Sequence, residues 1–339
     1  MPDVGVVGIV ANPSSGRDIR RLVANGAFVT TNDKVNMITR MLAGLRSVGV
    51  SSALSMTDLG GISASLADLA KGPASKAWPA LDFVDQDITQ SPADTTVAVH
   101  AMVAAGVGAI VVLGGDGTNA VVAEACGNVP IASISTGTNN AFPRSAEPTV
   151  VGIAAGLVAI GALDARDVTC RAKTLTVRSG ERRRRALVDV TITAHASIAS
   201  GAVWDSSTVR EVFLCFAEPH RIGLSSIGGH IRTVRRGDPF GLYLRLGRPT
   251  VASVRVPLGP GLMANVDLAE FGELAIDRTM TAVTPFGMVA VDGERAFRFD
   301  PDDTVNVTLT ADGPRAIDVE GVMELASARG LLARTALPP

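Results

Sequence analysis

Residues 109–113 are five apolar side chains in a row, and Gly114-Gly115-Asp116-Gly117-Thr118-Asn119 follows without a spacer. A strand-length run with no polar alternation has to be buried on both faces, and the sheet that achieves this is a parallel one with helices on either side. Glycines at its end let the backbone turn sharply and approach a ligand closely. The free N–H groups of a helix starting there favour phosphate. The run therefore constrains the fold and also the place for chemistry, the crevice at the carboxyl ends of the strands of an open α/β sheet.

The first half of the chain repeats this arrangement. Residues 4–11 are another apolar run, ending in Asn12-Pro13-Ser14-Ser15-Gly16, and residues 51–56 and 131–135 read as further strands. Between them Val35, Ile38, Met41, Leu42, Leu45 and Val48 recur at helical spacing behind Asn32 and Asp33, which offer an N-cap. Residues 94–105, 119–126 and 150–162 read as helices, and residues 60–93 have room for a short helix and strand. This alternation predicts an α/β N-terminal domain over residues 1–165, Rossmann-like, with a doubly wound, mostly parallel sheet.

After Val168 the texture changes to short segments, 174–178, 186–193, 212–216, 251–256, 274–277, 288–291 and 304–309, many separated by Ser-Gly, Gly-Asp or Asp-Gly turns. That spacing predicts an all-β sandwich as the C-terminal domain, over residues 166–315. Residues 316–339, in which 321–332 read as helix or strand, are expected to pack back on the first domain. The run Glu181-Arg182-Arg183-Arg184-Arg185 follows a Ser-Gly turn and reads as a solvated hairpin end. No aromatic stands among these arginines to stack a base.

Composition narrows the class further. Lys and Arg number 31 against 33 Asp and Glu, a balance that speaks against a protein built around nucleic acid or an anionic membrane surface. Cys126, Cys170 and Cys215 stand 44 and 45 residues apart with no CxxC, which suits neither a disulfide framework nor a zinc site and fits a reducing, cytoplasmic setting. The N-terminus lacks a basic n-region and reads as a first strand rather than a signal peptide. The long apolar stretch 97–113 is interrupted by His100, Gly106 and Gly108, so it divides into a helix and a strand instead of spanning a membrane. The expectation is a soluble cytoplasmic protein acting on small molecules, with no nucleic-acid or membrane partner.

A second loop has the construction of the first: residues 131–135 lead into Thr136-Gly137-Thr138-Asn139-Asn140-Ala141-Phe142. Two such loops on successive strands would set their ligand groups side by side. There is no GxxxxGK followed by Ser or Thr, so this is no P-loop NTPase, and no GxGxxG follows the first strand. A GxSxG nucleophile elbow is also missing. Val291-Asp292-Gly293-Glu294 reads either as a hairpin turn or as a third site element. Of the four histidines, His230, after Gly228-Gly229, is the one in a loop that looks like a ligand site.

Taken together, these stretches resemble the superfamily that joins NAD kinases with diacylglycerol and sphingosine kinases. The resemblance rests on the turn at residues 12–16, on GGDGT at 114–118, on TGTNNAF at 136–142 and on Asp292-Gly293-Glu294, in that order along almost the whole chain. Within it the chain is most similar to the ATP-NAD kinase-like proteins linked to acetoin catabolism, where Gly16-Arg17-Asp18-Ile19-Arg20-Arg21 continues the first motif and Ser135 to Asn140 and Ser226-Ile227-Gly228-Gly229 also match.

The resemblance implies an active site in the cleft between the two domains and Mg²⁺-dependent phosphoryl transfer to a hydroxyl. It also implies a homo-oligomer, dimer or tetramer. Carried over by motif, Asp116 is a catalytic carboxylate that acts as base or orients the acceptor, and Glu294 is its rival as base. Asn12, Ser15, Gly16, Gly114, Gly115, Gly117, Thr118 and Asn119 would hold phosphates, as would Thr136, Gly137, Thr138, Asn139 and Asn140. Asp189, Gly228, Gly229, His230 and Asp292 would face the acceptor, and no metal ligand is assigned. ATP is the default donor, although the same loops would serve pyrophosphate or polyphosphate.

Departures from the family bear on the acceptor. NAD kinases carry an Asn-Glu pair early in the β domain, where this chain has Val188-Asp189. Their Thr/Ser-rich adenosine segment is replaced by the run from Pro219 to Gly229. A site without those donors should bind NAD poorly. No amphipathic face with exposed aromatics speaks for a lipid acceptor. The leading expectation is a kinase for a small metabolite, such as the hydroxyketones acetol or acetoin. NAD kinase and a non-catalytic nucleotide-binding regulator are the alternatives.

Overall fold

The computed structural model describes residues 5–15, 29–137, 140–194 and 206–333. Its first part alternates β1 (Val6–Ala11), α1 (Thr31–Ser47), β2 (Ser52–Ser55), α2 (Ile62–Ala70), β3 (Ala80–Phe83), α3 (Pro92–Ala104), β4 (Ala109–Gly114), α4 (Asp116–Ala125), β5 (Ile131–Ser135) and α5 (Pro148–Ala159). The five strands are parallel, in the order β3-β2-β1-β4-β5. Alternate residues of β1 and β4 enter different cores, as the unbroken apolar runs require. Val7, Ile9, Val111 and Leu113 pack with Ile38, Leu42 and Leu45 of α1, whereas Val10, Ile110 and Val112 pack with Val99 and Met102 of α3. The sheet is thus covered on both faces.

The N-cap of α1 is Thr30, one turn edge before the expected Asn32 or Asp33; Asp33 instead closes a capping box, its carboxylate accepting from the Thr30 N–H at 2.8 Å. Helices α1 and α5 cross at Gly44 and Gly152. A Cβ on Gly44 would run into the Thr149 carbonyl oxygen, and one on Gly152 into that of Met41.

The second part begins with α6 (Ala165–Val168) and β6 (Thr169–Arg171), then runs through β7 (Thr174–Ser179), β8 (Arg182–Ala186), β9 (Asp189–Thr193), β10 (Val209–Leu214), α7 (Leu224–Ile231), β11 (Phe240–Leu246), β12 (Ala252–Gly259) and β13 (Leu262–Ala275). It continues with β14 (Thr279–Thr281), β15 (Gly287–Val291), β16 (Glu294–Phe299), β17 (Asn306–Thr310), β18 (Arg315–Ile317) and α8 (Val319–Ala328). A seven-stranded antiparallel sheet, β12-β13-β11-β10-β9-β15-β16, faces a four-stranded one, β14-β17-β7-β8. Leu175, Val177, Val307 and Leu309 of the smaller sheet share a core with Val190, Ile192, Phe213 and Val289 of the larger. The protein therefore has an N-terminal α/β domain with a mostly parallel sheet, followed by antiparallel β-sheets.

Two local readings are corrected and one is sharpened. The arginines of residues 182–185 do lie at an exposed hairpin, β7–β8, and form its second strand. Gly180, at φ 55°, makes the turn, and Arg182 and Arg185 reach Asp303 at 2.9 Å and Asp312 at 2.8 Å. Gly228, Gly229 and His230 lie in helix α7, not in a loop. The glycines are there for close packing, since a Cβ on Gly228 would sit 2.6 Å from Leu214 Cδ1 and one on Gly229 2.5 Å from the Glu218 carbonyl carbon. Helix α4 begins at Asp116 instead of Asn119, which puts the acidic residue in its first turn.

The chain then returns to the first sheet. β18 pairs in parallel with β5 through Ala316 and Ile131, and antiparallel with β6, completing the order β3-β2-β1-β4-β5-β18-β6. Behind it Val322 and Ala326 of α8 join the core that holds Leu157 and Val158 of α5. Among the described residues no helix is long and apolar enough to cross a membrane.

Candidate active site

Three loops at the carboxyl ends of β1, β4 and β5 are stitched together by short hydrogen bonds. Asn12 Nδ2 donates to Thr118 Oγ1 at 2.9 Å, and the hydroxyls of Ser15 and Thr136 lie 2.7 Å apart. Asn140 donates to Ser135 Oγ at 2.9 Å. Glycine is needed where these loops touch. A Cβ on Gly114 would stand 2.6 Å from that of Thr118, and Cβ atoms on Gly115 and Gly137 would stand 2.9 and 2.6 Å from the amide of Asn140.

Asp116, at the first position of α4, is 8% exposed, and its carboxylate accepts from the backbone N–H groups of Ala141 at 3.0 Å and Phe142 at 2.8 Å. This ties the start of α4 to the loop after β5. These bonds fix the direction of the carboxylate.

The β-sheets supply the facing wall. Asp292 sits in the β15–β16 turn with φ 49° and is buried. Its carboxylate accepts from the N–H groups of Leu187 at 3.0 Å and Val188 at 2.7 Å. Burial, then the nearby carboxylates of Asp189 and Asp116, push its pKa well above the usual carboxylate range. Asp189 is buried too and accepts from Thr191 Oγ1 at 2.8 Å. Glu294, two residues past Asp292, is exposed, and its Oε1 lies 3.7 Å from where a Cβ on Gly117 would be. It therefore reaches across to the start of α4.

The resulting cleft has a volume of about 590 Å³ and is lined by Asn12, Ser15, Gly115, Asp116, Gly117, Thr118, Gly137 and Asn140 from one side and Asp292 and Glu294 from the other. Gly114 and Thr136 are not among the lining residues but adjoin them, Gly114 against Thr118 and Thr136 against Ser15.

Several expected site residues have other surroundings. Asn119 is fully buried and satisfied internally, donating to the Gly115 carbonyl at 2.9 Å and accepting from Ser133 Oγ at 2.6 Å. It fastens α4 to β5 and has no free group for a phosphate. Gly228, Gly229 and His230 do not line the cleft, and His230 is exposed in the last turn of α7. Gly16, Thr138 and Asn139 lie outside the described residues, as does the continuation from Arg17 to Arg21.

Sequence reasoning missed Lys34. This residue is 1% exposed, and its ammonium donates to the carbonyls of Asn12, Pro13 and Ser15 at 2.9, 3.0 and 2.9 Å. The signal was present, since a lysine in the first turn of a helix opposes the helix dipole and here adjoins the apolar stripe at Val35. Gln90, Ser91, Pro92 and Thr95, at the start of α3, also line the cleft and were unassigned. Asp94 holds them in place, accepting from Thr89 Oγ1 at 2.6 Å and from the Thr89 and Gln90 N–H groups at 2.8 Å each.

Among the described residues no group of three or more His, Cys, Asp or Glu side chains is arranged to hold a metal ion. The carboxylates of Asp116 and Glu294 stand on opposite sides of the cleft.

Comparison with known proteins divides the chain along the same lines. Residues 7–161 match the ATP-NAD kinase N-terminal domain, and residues 173–312 match the acetoin catabolism protein X C-terminal domain. Acetoin catabolism protein X of Cupriavidus necator (strain ATCC 17699 / H16) is 42% identical over 337 residues, covering 96% of this chain and 94% of that protein. Among solved structures, a candidate diacylglycerol kinase from Bacillus anthracis str. Sterne aligns over 93% of this chain and 97% of its own, with 14% identity and a TM-score of 0.48.

Proposed function

The chain belongs to the acetoin catabolism protein X family, and from that premise we propose that it is a phosphotransferase that moves a phosphoryl group from ATP or pyrophosphate to a hydroxyl of a small metabolite. The observation that carries this reading is the two-sided cleft. Small polar groups and the N-terminus of α4 lie on one side, a setting that favours phosphate, and the exposed carboxylate of Glu294 faces them from the other.

In this reading the loops after β1, β4 and β5 hold the donor phosphates. Asp116, held by two backbone N–H groups, is fixed in direction and orients the acceptor hydroxyl. Glu294 takes the hydroxyl proton as the new O–P bond forms and the donor's O–P bond breaks. Asp292 is a positioning residue. Its bonds to Leu187 and Val188 set the turn from which Glu294 projects. Mg²⁺, bound with the donor's phosphates beside Asp116, would offset the charge on the transferring group.

For the acceptor, the relative's name points to acetoin catabolism, and a hydroxyketone such as acetoin or acetol is the proposed substrate. Val188 supports a small acceptor over NAD. It is 1% exposed within the apolar core and offers a dinucleotide no hydrogen bond from its side chain. The match of residues 7–161 to the ATP-NAD kinase domain keeps NAD kinase as the second reading.

The test is phosphorus NMR of Mg²⁺-dependent transfer from ATP and, in parallel, from pyrophosphate to acetol, acetoin, dihydroxyacetone, glycerol and NAD. Phosphorylation of a hydroxyketone with NAD inert is the expected result, and NADP formation would overturn the acceptor assignment. Donor binding without turnover, equal in wild type and Asp116→Asn, would instead identify a non-catalytic nucleotide-binding regulator.

A further inference from the structure

A second cavity, of about 750 Å³, opens between the loop after β5, the segments on either side of α7, and the return through β18 to α8. Its volume falls in the range of small-molecule sites. Four arginines line it, Arg144, Arg221, Arg235 and Arg236, against the carboxylates of Glu218, Asp318 and Glu320.

The inner arginines are not used up by the fold. The Arg221 side chain is 10% exposed, and its Nε donates to Glu218 Oε2 at 3.0 Å, yet its Nη2 is buried with no partner among the described residues. Arg236 lies over the Phe142 ring, 4.3 Å from its centroid, and donates through Nη2 to the Phe142 carbonyl, but its Nε is likewise buried and unpartnered. Burial, then repulsion from Arg221 and Arg144, pulls the Arg236 pKa down to about 10. A buried charged donor left unpaired is costly, and repulsion between neighbouring guanidiniums adds to that cost. An oxyanion would relieve both at once, because the guanidinium fork matches the paired oxygens of carboxylate or phosphate.

We propose that this cavity binds an oxyanion, the carboxylate or phosphate of a small molecule, on Arg221 and Arg236, at a site separate from the Asp116–Glu294 cleft. The two sites touch through Phe142, which gives its carbonyl to Arg236 and its N–H to Asp116. An anion that draws Arg236 away from Phe142 therefore acts on the residue that anchors the cleft carboxylate. The proposal does not depend on which reaction the cleft performs.

Cys170 lines this cavity, whereas Cys126 and Cys215 are buried, so its alkylation reports on occupancy without any turnover. The experiment measures the rate of Cys170 alkylation by iodoacetamide at fixed ionic strength, against increasing inorganic phosphate, pyrophosphate or citrate, with chloride as control. At least one of the three should protect saturably in the wild type. Protection by the phosphates alone identifies a phosphate ligand, and protection by citrate alone a carboxylate one. Arg221→Gln and Arg236→Gln, checked for native circular dichroism, should each raise the half-protecting concentration about tenfold or more. Glu294→Gln, which alters the far wall of the other cleft, away from Phe142, should leave that concentration within about twofold. If no anion protects beyond chloride in the wild type, the proposal fails whatever the variants do. It also fails if folded Arg221→Gln and Arg236→Gln are protected at the wild-type concentration.

Discussion

Among the described residues a lysine ammonium buried against three backbone carbonyls occurs twice. Lys34 holds Asn12, Pro13 and Ser15, and Lys173 holds Arg235, Asp238 and Phe240 at 2.7 to 2.9 Å. Each fastens a loop beside a cavity, the first loop at the cleft and the second at the arginine-lined chamber. Lys34→Met leaves those carbonyls without the ammonium and should cost about 3 kcal/mol in urea unfolding, with a raised KM for the phosphoryl donor. Glu294, being exposed, should behave in the opposite way. Glu294→Gln is expected to lower kcat by about a hundredfold or more while the thermal midpoint stays unchanged. At this scale much of the cleft was legible, because Asp116, Thr118 and Asn140 sit in loops whose glycines advertise a close approach. Asn119 was misread and Lys34 missed because sequence does not say where a polar side chain ends. The amide of Asn119 turns inward to Ser133, and the lysine reaches back to a loop some twenty residues away.

Whole elements were readable where burial imposes a period. The unbroken runs of β1 and β4 and the apolar stripe of α1 have one consistent solution, a covered parallel sheet. Helix α7 was not readable, because Gly228-Gly229 signals a loop locally and becomes helical only through its packing against Leu214 and Glu218. Strand β8 was hidden for a similar reason, its arginines being held extended by pairing with β7. The crossing of α1 and α5 gives a direct test of close packing. Gly44→Ala and Gly152→Ala should each destabilise by about 2 kcal/mol in urea unfolding, since the added methyl meets a backbone carbonyl that cannot move aside. The lip at α3 gives a pH test. Hydrogen bonding by Thr89 lowers the Asp94 pKa below its ordinary value of 3.8, so the carboxylate's contribution is complete above that value and is lost as pH falls through the lower folded one. Asp94→Ala should thus be less stable than wild type at neutral pH, by about 1 kcal/mol, and the gap should close in acid.

At the scale of the molecule, the cleft belongs to neither half alone. Its phosphate-facing loops come from the parallel sheet and its exposed carboxylate from the antiparallel one, so a bound donor should tie the two together. Hydrogen exchange with saturating pyrophosphate or ATP should show protection both at residues 12–15 and at residues 292–294. Protection on the first side only would mean that the facing wall takes no part in binding. The separation into an α/β part and a β part was legible from the change of period near Val168. The return of β18 to the first sheet was foreshadowed only as a packing segment, because a three-residue strand carries no period of its own.

That return has a consequence for how the protein is made. Strands β1 to β5 leave the ribosome early, but the sheet they start is sealed only when β18, at residues 315–317, arrives to pair with both β5 and β6. Until then the Ile131 end of β5's outer flank lies bare, Arg144 pairing only farther along at Ser133 and Ser135, together with the apolar surface that Val322 and Ala326 later cover. An exposed strand edge of this kind is a site for misassociation and for chaperone capture during synthesis. A premature stop anywhere before Arg315 would thus damage the oldest part of the molecule, not only the missing end.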